Sequence, residues 1–571
     1  MAIIGLDVGG THTDAVLIEN GRIIALAKQP TNRENLTGSL MDALYELLNS
    51  CDATSVRRIQ LSTTLSTNLI AEGKLDPVGV VIQSGPGLNP EFLTCGTQTC
   101  FLSGAVDHRG YETSLFRAED ASAAARSFHQ AGIHVVAIVS KFSPRNPDVE
   151  KRIATHFTGG FATVTLGHEV SGALNFPRRV FGTWLNAAVS RRFRDFGTAI
   201  RNALTTLKVT APVFMLKADG GTMSLDAAIK APLQTIQSGP AASIVGAISV
   251  FPELEAGGED AVLLDIGGTT TDIAFLAGGI PLFFPRGVVV AGRLTPVRGL
   301  WSRSIPLGGD GRVTVRDDGR LAIGPMRDGP AEAFGGPSPT PTDAMITLGL
   351  ARCGNSDLAR KAIRRIATRL DIDVSEAARR ILIVFADMAK NEVDKALAEV
   401  NNRPIFTIQE LLIDRTLRPR RLSLIGGPAT ALAPVLADSF GLPMTNSPLS
   451  PEILGAANAI GAALSSPTAE VTLTADTVEG HLSVPELSLR EPVEAAFTLE
   501  SARARAVELL GRRAESLGIC EAENTAELLA RRAEIIEESQ FNLVEGFSTR
   551  GRRFRVKAHL KPTRLESLVK S

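Results

Sequence analysis

Two short stretches carry the residue types best suited to chemistry. Asp7-Val8-Gly9-Gly10-Thr11-His12-Thr13-Asp14 and Asp265-Ile266-Gly267-Gly268-Thr269-Thr270-Thr271-Asp272 share one order: acid, glycine pair, threonines, acid. Each follows an apolar run, "AIIGL" and "AVLL", which puts Asp7 and Asp265 near the ends of predicted β-strands. Paired glycines let a backbone turn sharply or approach a ligand closely. Threonine hydroxyls and turn N–H groups supply donors of the kind that cradle phosphate oxygens. A carboxylate repels phosphate, so Asp7 and Asp265 are expected to hold a divalent cation. Mg²⁺ takes one or two carboxylates together with phosphates. Two such turns facing each other would grip a polyphosphate from both sides, which gives the duplication a purpose. One glycine-rich hairpin would mean little. Two in the same order single out Gly9, Gly10, Thr11, Thr13, Gly267, Gly268, Thr269 and Thr270 as phosphate contacts.

The elements that must position these turns are legible around them. "DAVLIENGRIIALAKQP" continues the first turn as a hairpin with Asn20-Gly21 at its tip, and "TDIAFLAGGIPLFF" does the same for the second. "PVGVVIQ" (77–83) and "GIHVVAIVS" (132–140) read as buried strands, and 179–207 and 355–400 as helices. The Gly/Pro-rich stretch 324–344 is expected to be a long ordered loop. Strands alternating with helices in two related halves predict an α/β fold with helices on both faces of mixed sheets. Beyond about residue 468 the chain turns polar and strand-like, then helical through "TLESARARAVELLGRR" and "TAELLARRAEIIEES", and ends in a strand, "RRFRVKAHL". Three units are expected: 1–175, 176–468 and a small α+β module at 469–571.

The totals narrow the classes. At 571 residues the chain exceeds what a single core supports. A net charge of -1 gives no global field for nucleic acid or an anionic membrane, so neither is expected as a partner. The basic run "RGRRFRVKAHLK" is interleaved with apolar residues and reads as a solvated strand face. The apolar runs are of strand length, and the opening "MAIIGLDVGG" has no basic, leader-like start. The five scattered cysteines contain no CxxC pair and argue against disulfides or a zinc site. A reducing cytoplasm is the expected location.

The paired turns resemble the two phosphate loops of the actin/Hsp70/sugar-kinase ATPase superfamily. "RLSLIGGPATALAPVLADSFG" (421–441) is similar to that superfamily's third element, in which a glycine pair, here Gly426 and Gly427, contacts adenosine ahead of a helix. Further stretches resemble the hydantoinase/oxoprolinase A family, whose members include N-methylhydantoinase A, 5-oxoprolinase and acetone carboxylase subunits. They are "STTLSTNLI" (62–70), "KFSPRNPDVE" (141–150), "RRVFGTWLNA" (178–187), "LKADGGTM" (216–223), "SGPAASIVGA" (238–247), "SIPLGGDGRV" (304–313) and "GPAEAFGGPSPTPTDA" (329–344). The resemblance spans roughly 3–465. It departs at Gly309-Asp310-Gly311-Arg312, where the family has a glycine run and serine, and at Val149, where it has histidine.

What the resemblance implies is a duplicated actin-like (ribonuclease H-like) pair of lobes with ATP and Mg²⁺ in the cleft between them. The implied reaction is ATP-dependent phosphorylation of a carbonyl oxygen in a small cyclic amide, of hydantoin or oxoproline type, so that the ring can be opened. A hydantoinase B-type subunit is the implied partner, and a homodimer is compatible with the pattern. Asp7 and Asp265 become the catalytic and metal-holding acids, Gly308 and Gly309 join the nucleotide contacts, and Asn68 and Asp219 become substrate contacts. Two other classes stay open: a small-molecule kinase releasing a phosphorylated product, and an ATP-switched binding module. His168-Glu169 could serve a metal or base but reads better as a satisfied turn. His12 reads as a positioning residue, and Arg179 as ion-paired at a helix start.

Overall fold

The computed structural model describes residues 2–10, 12–32, 36–402, 416–445, 449–519 and 524–568. Its first sheet starts from the turn at 7–14. Strand β1 (Ala2–Val8) runs antiparallel to β2 (His12–Glu19), and β2 to β3 (Arg22–Pro30), through the expected Asn20-Gly21 turn. Both turn residues have positive φ (50° and 75°), the conformation a two-residue hairpin needs. Strand β4 (Val56–Thr63) lies parallel to β1, Val213–Leu216 parallel to β4, and Thr222–Ser224 closes the edge. The first sheet thus takes its last two strands from beyond residue 175.

The second sheet repeats the plan. Ala261–Ile266 pairs antiparallel with Thr271–Ala277, that strand with Ile280–Pro281 and Ser302–Ile305, and Arg421–Ile425 lies parallel to Ala261–Ile266. The duplication is exact in register at the turns. Asp7 is opposite Asp14, and Asp265 is opposite Asp272. The fold is α/β, with two actin-like lobes.

Helices Ser238–Val250 and Ala457–Leu464 lie between the two sheets. Their sequences, "SGPAASIVGAISV" and "ANAIGAAL", are rich in small residues, and the contact shows why. A Cβ on Gly246 would stand 2.0 Å from the Ala457 carbonyl oxygen, and one on Gly461 2.0 Å from that of Ala242. Gly5 on β1 is equally tight against Ala459. Backbones touch here, so only glycine fits. One apolar cluster joins Ile3, Val16 and Ile18 of the first sheet to Leu263, Leu276 and Ile425 of the second through these helices.

A four-stranded parallel sheet is inserted between β4 and Val213–Leu216. It orders β6 (Gln98–Phe101), β5 (Val78–Gln83), Val135–Ser140 and Thr163–Leu166. The long helix Phe176–Thr206 packs against it and leads the chain back to the first sheet. In the second lobe Ser356–Leu370 and Val374–Asn401 are the expected helices. The loop expected over 324–344 ends at 340, after one short 3₁₀ turn, because Thr340 and Asp343 form a capping box that starts helix Pro341–Thr347.

The C-terminal module has its own core, including Val471, Leu473, Leu509, Leu510, Phe554 and Val556. Its sheet is antiparallel, with Leu489–Pro492, His481–Val484, Glu470–Asp476, Ser548–Leu560 and Ala533–Glu545 side by side. One sequence expectation is corrected here. The helix predicted through "TAELLARRAEIIEES" stops at Arg532, and Ala533–Glu545 is a strand. Ile535, Ile536, Phe541 and Val544 favour extended structure, and pairing with the basic strand overrides the local helical pattern. That basic strand is charge-balanced across the sheet: Arg553 pairs with Asp476 (2.7 Å), Arg555 with Glu537 (2.6 Å) and Lys557 with Glu470 (3.0 Å). Among the described residues no helix is long and apolar enough to cross a membrane.

Candidate functional site

Each acid turn is closed the same way. The Gly9 N–H donates to the His12 carbonyl at 3.1 Å, and the Gly267 N–H to the Thr270 carbonyl at 2.9 Å. The register puts Ser62 of β4 beside Asp7, and its hydroxyl donates to Asp7 Oδ1 at 2.5 Å. In the second lobe Ser243 takes that part, donating to Asp265 Oδ2 at 2.5 Å. Asn458, on the helix between the sheets, donates Nδ2 to Asp265 Oδ2 at 3.1 Å and also hydrogen-bonds toward Asp7. The two acids are close enough for each lobe to feel the other's charge.

Burial pushes the Asp7 carboxyl up to about 6, the Ser62 hydrogen bond offsets part of that, and Asp14 and Asp265 add to it. Asp265 is raised by burial against the bonds from Ser243 and Asn458. Asp272 is pushed to about 6 by burial and by Asp265, and its Oδ1 is buried with no hydrogen-bond partner among the described residues. These acids are packed together without enough positive charge, which is the electrostatic signature of a site built for a cation. No group of three His, Cys, Asp or Glu able to hold a metal occurs among the described residues. Mg²⁺ needs no such group when phosphate and water complete its shell. The donor set at Asp7 and Asp265 therefore fits it.

The second turn is braced from behind. The Gly309 and Asp310 N–H groups donate to the Gly267 and Gly268 carbonyls at 2.9 and 2.7 Å. A Cβ on Gly308 would fall 2.5 Å from the Gly268 oxygen. Gly308 and Gly309 thus act through the turn, and the Gly309 amide is already spent on it. Asp310, a departure from the family pattern, is neutralised by Arg327 (2.9 Å) and bonded by Thr342 (3.1 Å). Arg327 also donates to Thr269 Oγ1 at 2.8 Å, and both Arg327 and Asp310 act electrostatically on His12 of the first turn. Gly426 has φ +95°, and a Cβ there would meet the Ile266 oxygen at 2.3 Å and Asp265 Oδ1 at 2.9 Å. Gly427 faces open space at the head of helix Ala429–Phe440. The three glycine elements therefore converge beside Asp265. Thr269 and Thr270 are exposed, whereas Thr13 is fully buried with its hydroxyl bonded to Thr31 (3.0 Å) and does not reach the cleft. Gly10 continues the first turn, and Thr11 lies outside the described residues.

The family model for the hydantoinase/oxoprolinase N-terminal region matches residues 3–158, and that for hydantoinase/oxoprolinase matches 179–471. The chain belongs to the hydantoinase/oxoprolinase family. It is 24% identical over 471 residues to caprolactamase subunit alpha of Pseudomonas jessenii, covering 75% of this chain and 65% of that one. An uncharacterized protein of Methanocaldococcus jannaschii is 24% identical over 442 residues, 68% of this chain and 64% of that one. The chain thus spans just under two thirds of the length of these relatives. Its fold matches the structure of ATP-dependent caprolactamase from P. jessenii, with a TM-score of 0.70, 20% identity, and 98% and 87% of the two chains covered. It also matches a nucleotide-free structure of acetone carboxylase, with a TM-score of 0.69, 15% identity, and 100% and 89% covered.

Two residues expected at the substrate are not brought together in this hydantoinase/oxoprolinase chain. Asn68, on helix Leu65–Ala71, bonds its own helix start at Thr64 Oγ1 (3.1 Å). Asp219 follows strand Val213–Leu216 and caps a tight turn at the Gly221 N–H (3.0 Å). Burial raises its carboxyl, but the Lys217 ammonium at 3.1 Å and the Gly221 bond more than offset this and hold it below the usual range. Lys217 and Asp219 line a cavity of about 1090 Å³. Asn68 does not. His168 is fully buried, its Nδ1 2.5 Å from Glu150 Oε2, while its Nε2 is buried with no hydrogen-bond partner among the described residues, so the satisfied turn histidine of the sequence reading is satisfied on one side only. Arg179 departs from expectation. It is fully buried, donating to the carbonyls of Ser140 (2.6 Å), Lys141 (2.7 Å) and Ala173 (2.7 Å) rather than forming a direct ion pair.

Ser62, Ser243, Asn458 and Arg327 were not anticipated as parts of the site. Ser62 and Ser243 sit inside family-like stretches. Asn458 and Arg327 carry no signal of their own, because only the packing of two lobes brings them to the acids.

Proposed function

We propose that this chain is an ATP-dependent enzyme subunit that phosphorylates the carbonyl oxygen of a cyclic amide and so prepares the ring for opening. The observation carrying this reading is the pair of turns in identical register, with Asp7 buried, Asp265 half-buried, and both coupled and short of positive charge. The caprolactamase relative supports the choice of substrate class.

Asp7 and Asp265 would hold Mg²⁺, which supplies charge neutralisation to the transferring phosphoryl group. The turn backbones at Gly9–Gly10 and Gly267–Gly268 and the Thr269 and Thr270 hydroxyls face the phosphates. Gly426-Gly427 opens room for the adenosine. Ser62, Ser243 and Asn458 fix the carboxylates so that the acids need not reorganise during transfer. The amide oxygen attacks the γ-phosphorus and the bond to ADP breaks. The carbon bearing the phosphorylated oxygen then accepts one water, the C–N bond opens to leave an acyl phosphate, and a second water releases phosphate and the free carboxylate. The balance is lactam, ATP and two waters giving amino acid, ADP and phosphate. Completion of hydrolysis is assigned to a B-type partner subunit.

The test is ATP turnover with Mg²⁺ over a panel of hydantoins and lactams, with and without the partner subunit, followed by ³¹P NMR. Inorganic phosphate formed in step with ring-opened product supports the reading. A stable phosphoester would make the chain a kinase. Turnover indifferent to every substrate would make it an ATP-switched binding module.

A further inference from the structure

The cavity of about 1090 Å³ stands where three units meet, and its walls have a chemical bias. One wall comes from the carboxyl-terminal loops of two parallel strands, Pro144 and Arg145 after Val135–Ser140 and Glu169–Gly172 after Thr163–Leu166. A second is Lys217 and Asp219, just past strand Val213–Leu216, on the same carboxyl edge of the first sheet as Asp7 and Thr63. The third is the C-terminal module, whose Ser548–Leu560 strand contributes Arg553, Arg555 and Lys557. Clefts outside the carboxyl ends of parallel strands are where α/β sheets bind ligands. The volume exceeds that of a single five-membered ring and admits a substituted one.

Nine cationic side chains line this space against five carboxylates. Most of the cations are accounted for. Lys217 pairs with Asp219, Lys557 and Arg298 with Glu470, Arg555 with Glu537, and Arg553 with Asp476. Arg178 and Arg513 also have no ion pair among the described residues, but Arg178 donates to the Arg286 carbonyl at 2.8 Å and Arg513 lies near Glu486 and Glu470. Arg145 faces the arginines of the C-terminal module instead. It has no salt bridge among the described residues. Burial and the neighbouring Arg553 and Arg555 guanidiniums push its pKa down, and Asp476, already committed to Arg553, opposes them only in part. Its backbone is fixed: the Arg145 N–H donates to the Phe142 carbonyl (2.8 Å), and the adjacent Asn146 donates to the Gly110 carbonyl (2.9 Å). Tyr111 and Arg109 of that same loop reach Glu479 of the C-terminal module, which holds the two walls together. A guanidinium with no ion pair, held by its backbone at the wall of a cavity where cations outnumber carboxylates, lacks one component: an anion.

We propose that this cavity is the chamber for a substrate bearing a carboxylate, with Arg145, flanked by Arg553 and Arg555, as the carboxylate's receptor. The proposal rests on the function proposed above and deepens it, naming the substrate class as an anionic lactam or hydantoin. Guanidinium presents paired donors that match a carboxylate's two oxygens. A neutral lactam would leave Arg145 without a counter-charge.

The test separates binding from turnover. Asp7→Asn protein, crippled in nucleotide chemistry, is titrated calorimetrically at low ionic strength with two matched pairs: 5-oxoproline against 2-pyrrolidone, and hydantoin-5-propionate against hydantoin. The carboxylated member of at least one pair should bind about ten-fold or more tightly than its neutral partner, the size of a charge-assisted hydrogen bond. Arg145→Gln should erase that preference, and Arg145→Lys should restore part of it. The Arg145→Gln melting temperature should hold or rise, since a repulsion is relieved; a merely structural arginine would lower it. If Arg145→Gln does not fold, Arg555→Gln is read in its place. Equal binding within both pairs, no binding by any of the four, a preference surviving Arg145→Gln, or displacement by inorganic phosphate as strong as by carboxylate would each overturn the assignment. Failure of the functional reading looks different: carboxylate binding persists, while wild-type protein with its partner subunit turns over ATP with no lactam.

Discussion

Two sets of buried carboxylates in this molecule have opposite electrostatics. Glu150 is fully buried, yet its carboxyl is held below the usual range. Burial pushes it up, but His168 bonded at 2.5 Å and the nearby Arg179 charge more than compensate. The Ser140 and His168 N–H groups occupy its oxygens at 2.8 and 2.9 Å. Asp7 is buried, Asp265 and Asp272 are half-buried, and all three are raised, because hydroxyl and amide donors meet them where cations do not. A carboxylate that the fold satisfies serves the fold. One that the fold buries and leaves short of charge is kept for something the protein binds.

The sharpest way to break this comparison is to remove an acid from each set. Asp265→Ala should lower Mg²⁺-dependent ATP turnover by at least about 10²–10³-fold, the scale of losing one preorganised electrostatic group, while the metal-free protein melts no lower than wild type. Wild-type turnover in steady-state assays would take Asp265 out of the mechanism. Glu150→Ala should do the reverse. Leaving His168 and Arg179 buried without their carboxylate should cost about 3–5 kcal/mol in urea unfolding. Stability within 1 kcal/mol of wild type, by the same rough scale, would mean that the network is not structural.

Next in size is a pH effect of opposite sign in the two regions. Asp7 and Asp272 rise from 3.8 to about 6 on folding, so their contribution is complete below the unfolded value and is lost as pH rises through about 6. Glu150 is depressed from 4.5, so its contribution is present above that value and is lost as pH falls through the folded one. The metal-free melting temperature should therefore be highest in weakly acidic buffer, fall toward neutral pH, and recover there on adding Mg²⁺ with ADP. A flat profile, or no recovery, would contradict the charge deficit at the acid turns. The smallest expected effect tests the frame that brings those turns together. Gly246→Ala, forced against the Ala457 carbonyl, should cost about 1–3 kcal/mol, as overpacking does. It should also weaken nucleotide binding more than it disturbs the C-terminal module, which has a core of its own.

Much of this architecture was readable in advance. The acid turns, their strands, the Asn20-Gly21 hairpin, the glycine pair at 426–427 and the long helices all rest on local rules of backbone freedom and side-chain period. The misreadings came where distant partners decide. Ala533–Glu545 is a strand because Ser548–Leu560 pairs with it, Thr13 faces the interior because Thr31 lies across β3, and Arg179 serves carbonyls that belong to another strand.

The sequence by itself determined that an acid, a glycine pair and hydroxyls would stand at the end of a strand, twice, since those are properties of a few consecutive residues. Only the tertiary structure decided that the two acids share one place, that Ser62, Ser243 and Asn458 hold them, and that Arg145 and Arg553 line one cavity. Those facts depend on which surfaces pack together. Packing is set by burial and charge summed over the whole chain, and no short window of residues contains that sum.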